Sequence, residues 1–381
     1  MRQVLEVINL AINSQNFIGD QFSYLQEHGD YQMHLICSPG YNIEDFAQQQ
    51  KIKLETVQIN RQITPWADVK AFFKICRYIK KNKIDIIIGH QAKGTLLAMS
   101  AGWIMHVPVR IIFGHGVLTE TMKGVKKWLI NKEGRFCYSR ATNIICVSSF
   151  IKNYGEDRKH KKVLLGYGSC TGIDTKMKFN PHLVDVETVQ ALRNQFGISE
   201  KDFVVGYCGR VVKDKGIVEL VEAIRLLREN HPNHNIKLLI VGPEEIRDAI
   251  PESVSRFLRE SSYVHFTGFV PYSEIQQYYL LMDVCVLASH REGLGLASLE
   301  AQAMEKPAIV TDYTGCAETI IDGETGYYTD GSPQSIVDQL EKLMDNPKAI
   351  RMGKQGRQFV INRFEAEYVH HNILQFLNST K

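Results

Sequence analysis

Two glutamates, Glu292 and Glu300, stand eight positions apart in the stretch Ser289-His290-Arg291-Glu292-Gly293-Leu294-Gly295-Leu296-Ala297-Ser298-Leu299-Glu300. The apolar run before them, 284–288, is short and β-branched enough for a buried strand. From Ser298 onward the residues read as the first turns of a helix. This spacing predicts Glu292 at the carboxyl end of a strand and Glu300 early in the following helix. Gly293 and Gly295 leave the 293–296 backbone N–H groups able to face an anion at a helix N-terminus. The chemistry on offer is a pair of carboxylates beside a loop able to face an anion.

A second stretch supplies the opposite charge. The strand-like run 203–208 leads into Gly209-Arg210-Val211-Val212-Lys213-Asp214-Lys215-Gly216 and then a helix-like run, 217–230. Arg210 offers a planar bidentate fork and Lys215 a point charge, both suited to a diphosphate. Two histidines also fall just after apolar runs: His90 in Gly89-His90-Gln91-Ala92-Lys93-Gly94, and His115 in Gly114-His115-Gly116.

The elements that must position these residues alternate. In the first half, 4–10, 33–37, 54–59, 84–88, 109–113 and 143–147 read as strands, and 22–27, 67–81, 94–105 and 123–138 as helices. In the second half, strand-like runs at 237–241, 264–267 and 308–311 lead into Gly242, the Gly268-Phe269-Val270 turn and Asp312. Such alternation predicts parallel sheets covered on both faces, with ligands at the carboxyl ends of the strands. At 381 residues the chain exceeds one typical core, which predicts two domains. Residues 175–201 are polar and carry Pro181, and are read as the linker.

Taken together, these motifs resemble the retaining, nucleotide-sugar-dependent glycosyltransferases of family 4 (glycosyl transferases group 1). The Glu-x7-Glu element at 292–300 and the Gly-Arg-x4-Lys-Gly motif at 209–216 carry most of the likeness. The resemblance implies the GT-B fold: α/β, two facing Rossmann-like domains with a deep cleft between them. It implies an acceptor domain at 1–174, a donor domain at 175–365, and a last helix, 366–381, crossing back to the first. Glu292 would approach the donor sugar and Glu300 the ribose. Gly209, Arg210, Lys215, Gly242 and the backbone of Gly293, Leu294, Gly295 and Leu296 would line the diphosphate, and the turn at Val270 the base. His115 matches the His-Gly that reaches the donor sugar in the family, so His115, Glu292, Arg210 and Lys215 form the implied catalytic set.

Bacterial capsule and O-antigen members share the Gly-Ser-Cys-x-Gly-Ile-Asp stretch found here at 168–174. Their His-x-Pro-Lys-Ala-like stretch is matched in part by His90 and Lys93, with Ala92 replacing proline. The resemblance thus implies transfer from a UDP-sugar or UDP-N-acetyl sugar to a polyprenyl-diphosphate-linked glycan, with no metal or other cofactor. His90 and Lys93, with Lys123, Lys126 and Lys127 of a cationic stretch containing Trp128, are the acceptor-side candidates. The loop at 13–19 lacks the Gly-Gly pair common in the family and is assigned no role. A sugar-nucleotide epimerase of the same fold and a non-catalytic subunit of a glycan-assembly complex are the alternatives.

Composition sets the remaining bounds. A 44% hydrophobic and 23% charged chain fits a globular protein, and no apolar run approaches the roughly 18–20 residues of a membrane span. The eight cysteines are scattered without metal-ligand spacing, which reads as buried thiols in a reducing cytoplasm. Residues 1–174 carry 23 Lys+Arg against 14 Asp+Glu, net +9, and the remainder 22 against 28, net −6. A basic first half suits an anionic surface or substrate, and the resemblance implies work at the inner face of the plasma membrane. No nucleic-acid-binding module accompanies it.

Overall fold

The computed structural model describes residues 1–12, 14, 18–60, 62, 64–116, 124–155, 161–246 and 248–380. Lys123, the side chain of Lys126, and residues 13 and 15–17 of the 13–19 loop lie outside the described residues. The chain divides into two compact units: Met1–Gly172 with Ala366–Lys381, and Ile173–Glu365.

The first unit is a seven-stranded sheet. Its strands are β1 (Arg2–Val7), β2 (Tyr31–Cys37), β3 (Lys53–Thr56), β4 (Ile86–His90), β5 (Val109–Gly114), β6 (Asn143–Cys146) and β7 (Lys162–Leu164), in the order β3-β2-β1-β4-β5-β6-β7. Each pairing is parallel. Helices return the chain between strands, among them Pro65–Asn82, Gln91–Ile104 and Gly124–Arg140. Val4, Leu5, Ile36, Ile86, Ile87 and Ile111 are fully buried, as expected of strands covered on both faces. Each such side chain contributes roughly 1.5–3 kcal/mol. The helix Ala366–Ser379 belongs to this unit, where Arg2 Nη1 donates to Leu377 O (3.1 Å) and Thr380 O (2.9 Å) and Tyr31 OH donates to Asn378 Oδ1 (2.7 Å).

The second unit holds six parallel strands: β8 (Phe203–Cys208), β9 (Ile236–Val241), β10 (Val264–Phe266), β11 (Val284–Leu287), β12 (Ala308–Thr311) and β13 (Gly326–Thr329). They run in the order β10-β9-β8-β11-β12-β13. Both sheets therefore reverse strand order once, between β1 and β4 and between β8 and β11. A crevice opens at such a reversal because the flanking helices leave on opposite faces.

The stretch expected as a linker is not one throughout. A helix, Val186–Gln195, forms within the second unit, its N-cap Asp185 accepting from the N–H groups of Glu187 and Thr188. It has no buried residue, so it lacks the apolar stripe by which a helix is recognised. The seven buried cysteines and the half-buried Cys76 are all free thiols.

Arg357, on the helix Lys348–Phe364, ties the entry of the second unit to the helix that carries Glu300. Its guanidinium donates to Thr175 O (2.9 Å), Phe179 O (2.8 Å) and Ala303 O (2.5 Å). The last of these caps the carboxyl end of the helix Leu296–Ala303. Arg357→Ala is expected to cost about 1.5–3 kcal/mol, the range for hydrogen bonds to a charged group. A thermal melt should fall by several degrees, and an unchanged melting temperature would remove this role.

Candidate functional site

In the second unit, the ends of β8 and β11 lie side by side and bring two sequence motifs together. Lys215, in the short 3-10 turn Lys213–Lys215, forms an ion pair with Glu292 Oε2. The chain reaches this contact because Gly216 takes a left-handed φ of 69°; a Cβ there would also stand 2.0 Å from Ala288 O, at the end of β11. No side chain fits that space. Arg210 is half exposed and its Nη1 meets Glu245 Oε2 at 2.9 Å. Arg291 Nη2 meets Asp214 Oδ2 at 2.5 Å, linking the two motifs a second time. The cations expected for an anion are thus each balanced by a carboxylate of the same unit.

Gly295 has φ 82° as the N-cap of the helix Leu296–Ala303, which sets the 293–296 loop at a helix N-terminus as the spacing implied. Glu292 O accepts from Gly315 N at 3.1 Å and anchors the loop from behind. The turn holding Val270 follows β10, and Gly242 bridges to Gly268, the Gly242 N–H donating to Gly268 O at 3.0 Å. Gly209, Gly242 and the half-buried Val270 therefore gather at the same end of the sheet as Arg210 and Lys215.

Glu300 is only 5% exposed. Tyr272 OH donates to its Oε1 at 2.9 Å and Tyr279 OH to its Oε2 at 2.6 Å. Burial pushes the carboxyl above its ordinary range, opposed by the Tyr279 phenol, the Lys178 ammonium and the Tyr272 phenol. Neither tyrosine was legible beforehand as a partner; only tertiary packing brings them to Glu300.

In the first unit, His90 closes β4 and His115 follows β5. His90 is 2% exposed, its Nε2 lies 2.9 Å from Glu6 Oε2, and its Nδ1 lies 2.9 Å from His115 Nε2. Burial, then the neighbouring His90, lowers the half-buried His115 imidazole to about 3, so its ring is neutral at physiological pH. Lys93 is also buried, its ammonium held by Asp68 Oδ1 at 2.7 Å and by Gln62 O. His90 and Lys93 thus meet internal partners within this unit. Helix position alone does not reveal that an ammonium folds back onto a neighbouring helix. Lys127 is exposed on the helix Gly124–Arg140, beside exposed Val125, Trp128 and Leu129.

Among the described residues no three His, Cys, Asp or Glu side chains converge as a metal site, and no helix is long and apolar enough to cross a membrane.

Comparison with known proteins agrees with this arrangement. A family model described as "Glycosyl transferases group 1" matches residues 188–359, and one described as "Glycosyl transferase 4-like" matches residues 7–148. The capsular polysaccharide biosynthesis glycosyltransferase CapM of Staphylococcus aureus is 31% identical over 91% of this chain and 90% of its own. The UDP-Gal:alpha-D-GlcNAc-diphosphoundecaprenol alpha-1,3-galactosyltransferase of Escherichia coli is 24% identical over 88% and 85%. Among solved structures, Anabaena Alr3699/HepE in complex with UDP and glucose covers all of both chains, with a TM-score of 0.80 at 17% identity, a likeness of fold. The chain belongs to the group 1 glycosyltransferases, with two Rossmann-like domains. It is an enzyme of glycosyl transfer.

The raised Glu300 carboxyl has a signed consequence. The folded chain keeps this proton to higher pH than the unfolded chain, so Glu300 subtracts stability as pH rises from the ordinary carboxylate range through its folded value. Glu300→Gln is expected to melt above the native chain at about pH 8, the gain vanishing towards about pH 3, where both states are protonated. A variant melting lower at the higher pH would show that the phenol hydrogen bonds outweigh burial.

Proposed function

We propose that this enzyme moves a sugar from a UDP-sugar or UDP-N-acetyl sugar to a polyprenyl-diphosphate-linked glycan in surface polysaccharide synthesis. It does so with retention of anomeric configuration and without a metal ion. The observation that carries this reading is the meeting of Lys215 and Glu292, with Arg210 nearby on the same loop, at the β8/β11 strand reversal. A diphosphate arriving there would draw Arg210 from Glu245 and share Lys215 with Glu292. The exchange is cheap for Arg210, because a half-exposed ion pair contributes little.

In this reading, Arg210, Lys215 and the 293–296 N–H groups stabilise charge developing on the leaving diphosphate. The bond from the anomeric carbon to the phosphate oxygen breaks, and the acceptor oxygen attacks from the same face. The hydroxyl proton passes to the departing phosphate. Glu292 positions the transferred sugar, and Glu300, held by its two phenols, receives the ribose hydroxyls. The relatives' names support the substrate classes: one is a capsular polysaccharide enzyme and another acts on a diphosphoundecaprenol-linked sugar.

A thermal-shift panel of UDP, GDP, ADP, dTDP and CMP tests the donor site. UDP at about 100 times its dissociation constant should add roughly 2.7 kcal/mol of stability. The shift should disappear in Arg210→Ala, and Glu292→Ala should lower transfer by at least about 10²-fold, in chelator as in buffer. No shift with any nucleotide, or a fully active Glu292→Ala, would overturn the assignment.

The acceptor's lipid places the enzyme at the cytoplasmic membrane face in this proposal. Val125, Trp128 and Leu129 are 73%, 53% and 53% exposed, and the Lys132 ammonium lies 3.9 Å from the Trp128 ring centre. Apolar side chains among lysines fit an anionic interface. The chain should float with anionic but not neutral liposomes, less so in high salt, and Trp128→Glu should weaken the binding. Absence of salt-sensitive flotation would refute the docking face.

A further inference from the structure

The helix Pro65–Asn82 is striped twice. Ala71, Ile75 and Ile79, four residues apart, are its buried stripe. Trp66, Val69 and Phe73 follow the i, i+3, i+7 spacing of a single face and are 88%, 49% and 65% exposed. At about 100° per residue, Phe73 lies about 200° from Ala71, so the second stripe points away from the core. A single exposed apolar side chain needs no explanation, but a row of three on one helix does.

The topology widens this row into a face. The helices Pro65–Asn82, Gln91–Ile104 and Gly124–Arg140 join β3 to β4, β4 to β5 and β5 to β6, three steps in one direction along the sheet. Right-handed crossovers place such helices on the same side of it. The chain has three tryptophans, and each of these helices carries one: Trp66, Trp103 and Trp128, the second of them 44% exposed. Trp66 and Trp128 sit in the first two turns of their helices, at the carboxyl edge of the sheet. Trp103 sits in the last turn of its own, about 18 Å from that edge at 1.5 Å per residue. The three are therefore corners of a triangle and not one patch.

Charge follows the same helices. They carry eleven Lys+Arg against two Asp+Glu, net +9, which equals the whole excess of residues 1–174. The two acids, Asp68 and Glu133, are half-buried, whereas Lys70 and Arg77 are exposed on either side of Phe73. The Arg140 guanidinium lies 4.0 Å from the Trp103 ring centre, much as Lys132 lies over Trp128. Apolar rings fringed by cations complement a surface that is anionic outside and apolar beneath, and indole suits it with one polar N–H on a large apolar body. A protein partner gathers its anchors into one central cluster. Corners held by three separate helices fit a flat, laterally continuous partner instead.

We propose that these three helices together seat the first unit flat on an anionic phospholipid surface, with Trp66, Trp103 and Trp128 as the three points of insertion. The inference rests on the membrane reading above, which gave the contact to the helix Gly124–Arg140 alone, and it fixes which side of the sheet meets lipid.

Because this face holds every tryptophan of the chain, intrinsic fluorescence reads it without a label. Emission of the full chain should move to the blue on vesicles of phosphatidylcholine with phosphatidylglycerol, return at high salt, and stay in place on phosphatidylcholine alone. Three double variants, such as Trp103→Phe with Trp128→Phe to leave Trp66, should each keep the shift and be quenched by brominated lipid. Phe73→Glu should weaken binding to the mixed vesicles by at least about tenfold, the loss expected when one phenyl ring no longer leaves water, with an unchanged melting temperature. If Trp128 alone responds, the flat seating is wrong and docking through its helix stands. If no tryptophan responds, the membrane reading falls with it, and equal shifts on neutral vesicles would overturn the anionic surface.

Discussion

A parallel strand cannot be followed directly by its neighbour: the chain must cross back over the sheet and begin again at the same end. Everything chemically active in this protein depends on that constraint. It sends each loop that follows a strand to one edge of the sheet, so residues far apart in sequence become neighbours. Lys215 and Glu292, 77 positions apart, meet because β8 and β11 are adjacent and end together. Glu6, His90 and His115 line up because β1, β4 and β5 are consecutive in the other sheet. One topological rule, applied twice, builds both clusters.

The two clusters treat charge differently. In the second unit, cations and carboxylates at the strand ends neutralise one another in partly exposed pairs, which water screens. Glu300 is the exception there, withdrawn from water and held by two phenols that fix the direction of its oxygens. In the first unit the Glu6 carboxyl group is withdrawn completely, with the His90 imidazole beside it. A buried polar group of that kind is poor for stability and good for orientation, since a low-dielectric setting strengthens each directed contact.

Much of this was legible from residue types. The Glu-x7-Glu and Gly-Arg-x4-Lys-Gly motifs named their own loops, because glycines and charges directly after apolar runs can only be strand ends. Glu6 also left a signal as a single acid inside an apolar strand. Burial left no such signal. His90 and Lys93 have the composition of a ligand-facing loop, and each also meets internal partners on neighbouring elements. The helix Val186–Gln195 went unseen for the opposite reason: it buries nothing, and only its Asp185 cap announces it.

The sequence by itself determined the class of fold and the loops that carry chemistry. Those follow from local rules: hydrophobic period, glycine at turns, and charge next to an apolar run. The tertiary structure alone decided the partners. Tyr272 and Tyr279 on Glu300, Glu245 on Arg210, and Glu6 behind His90 are contacts across strands and helices separated by tens of residues, down to the 21 that part Tyr279 from Glu300. Nothing in a one-dimensional spacing encodes them. They arise when crossovers and strand register fix which side chains share a face, and that register is set by the packing of the whole sheet.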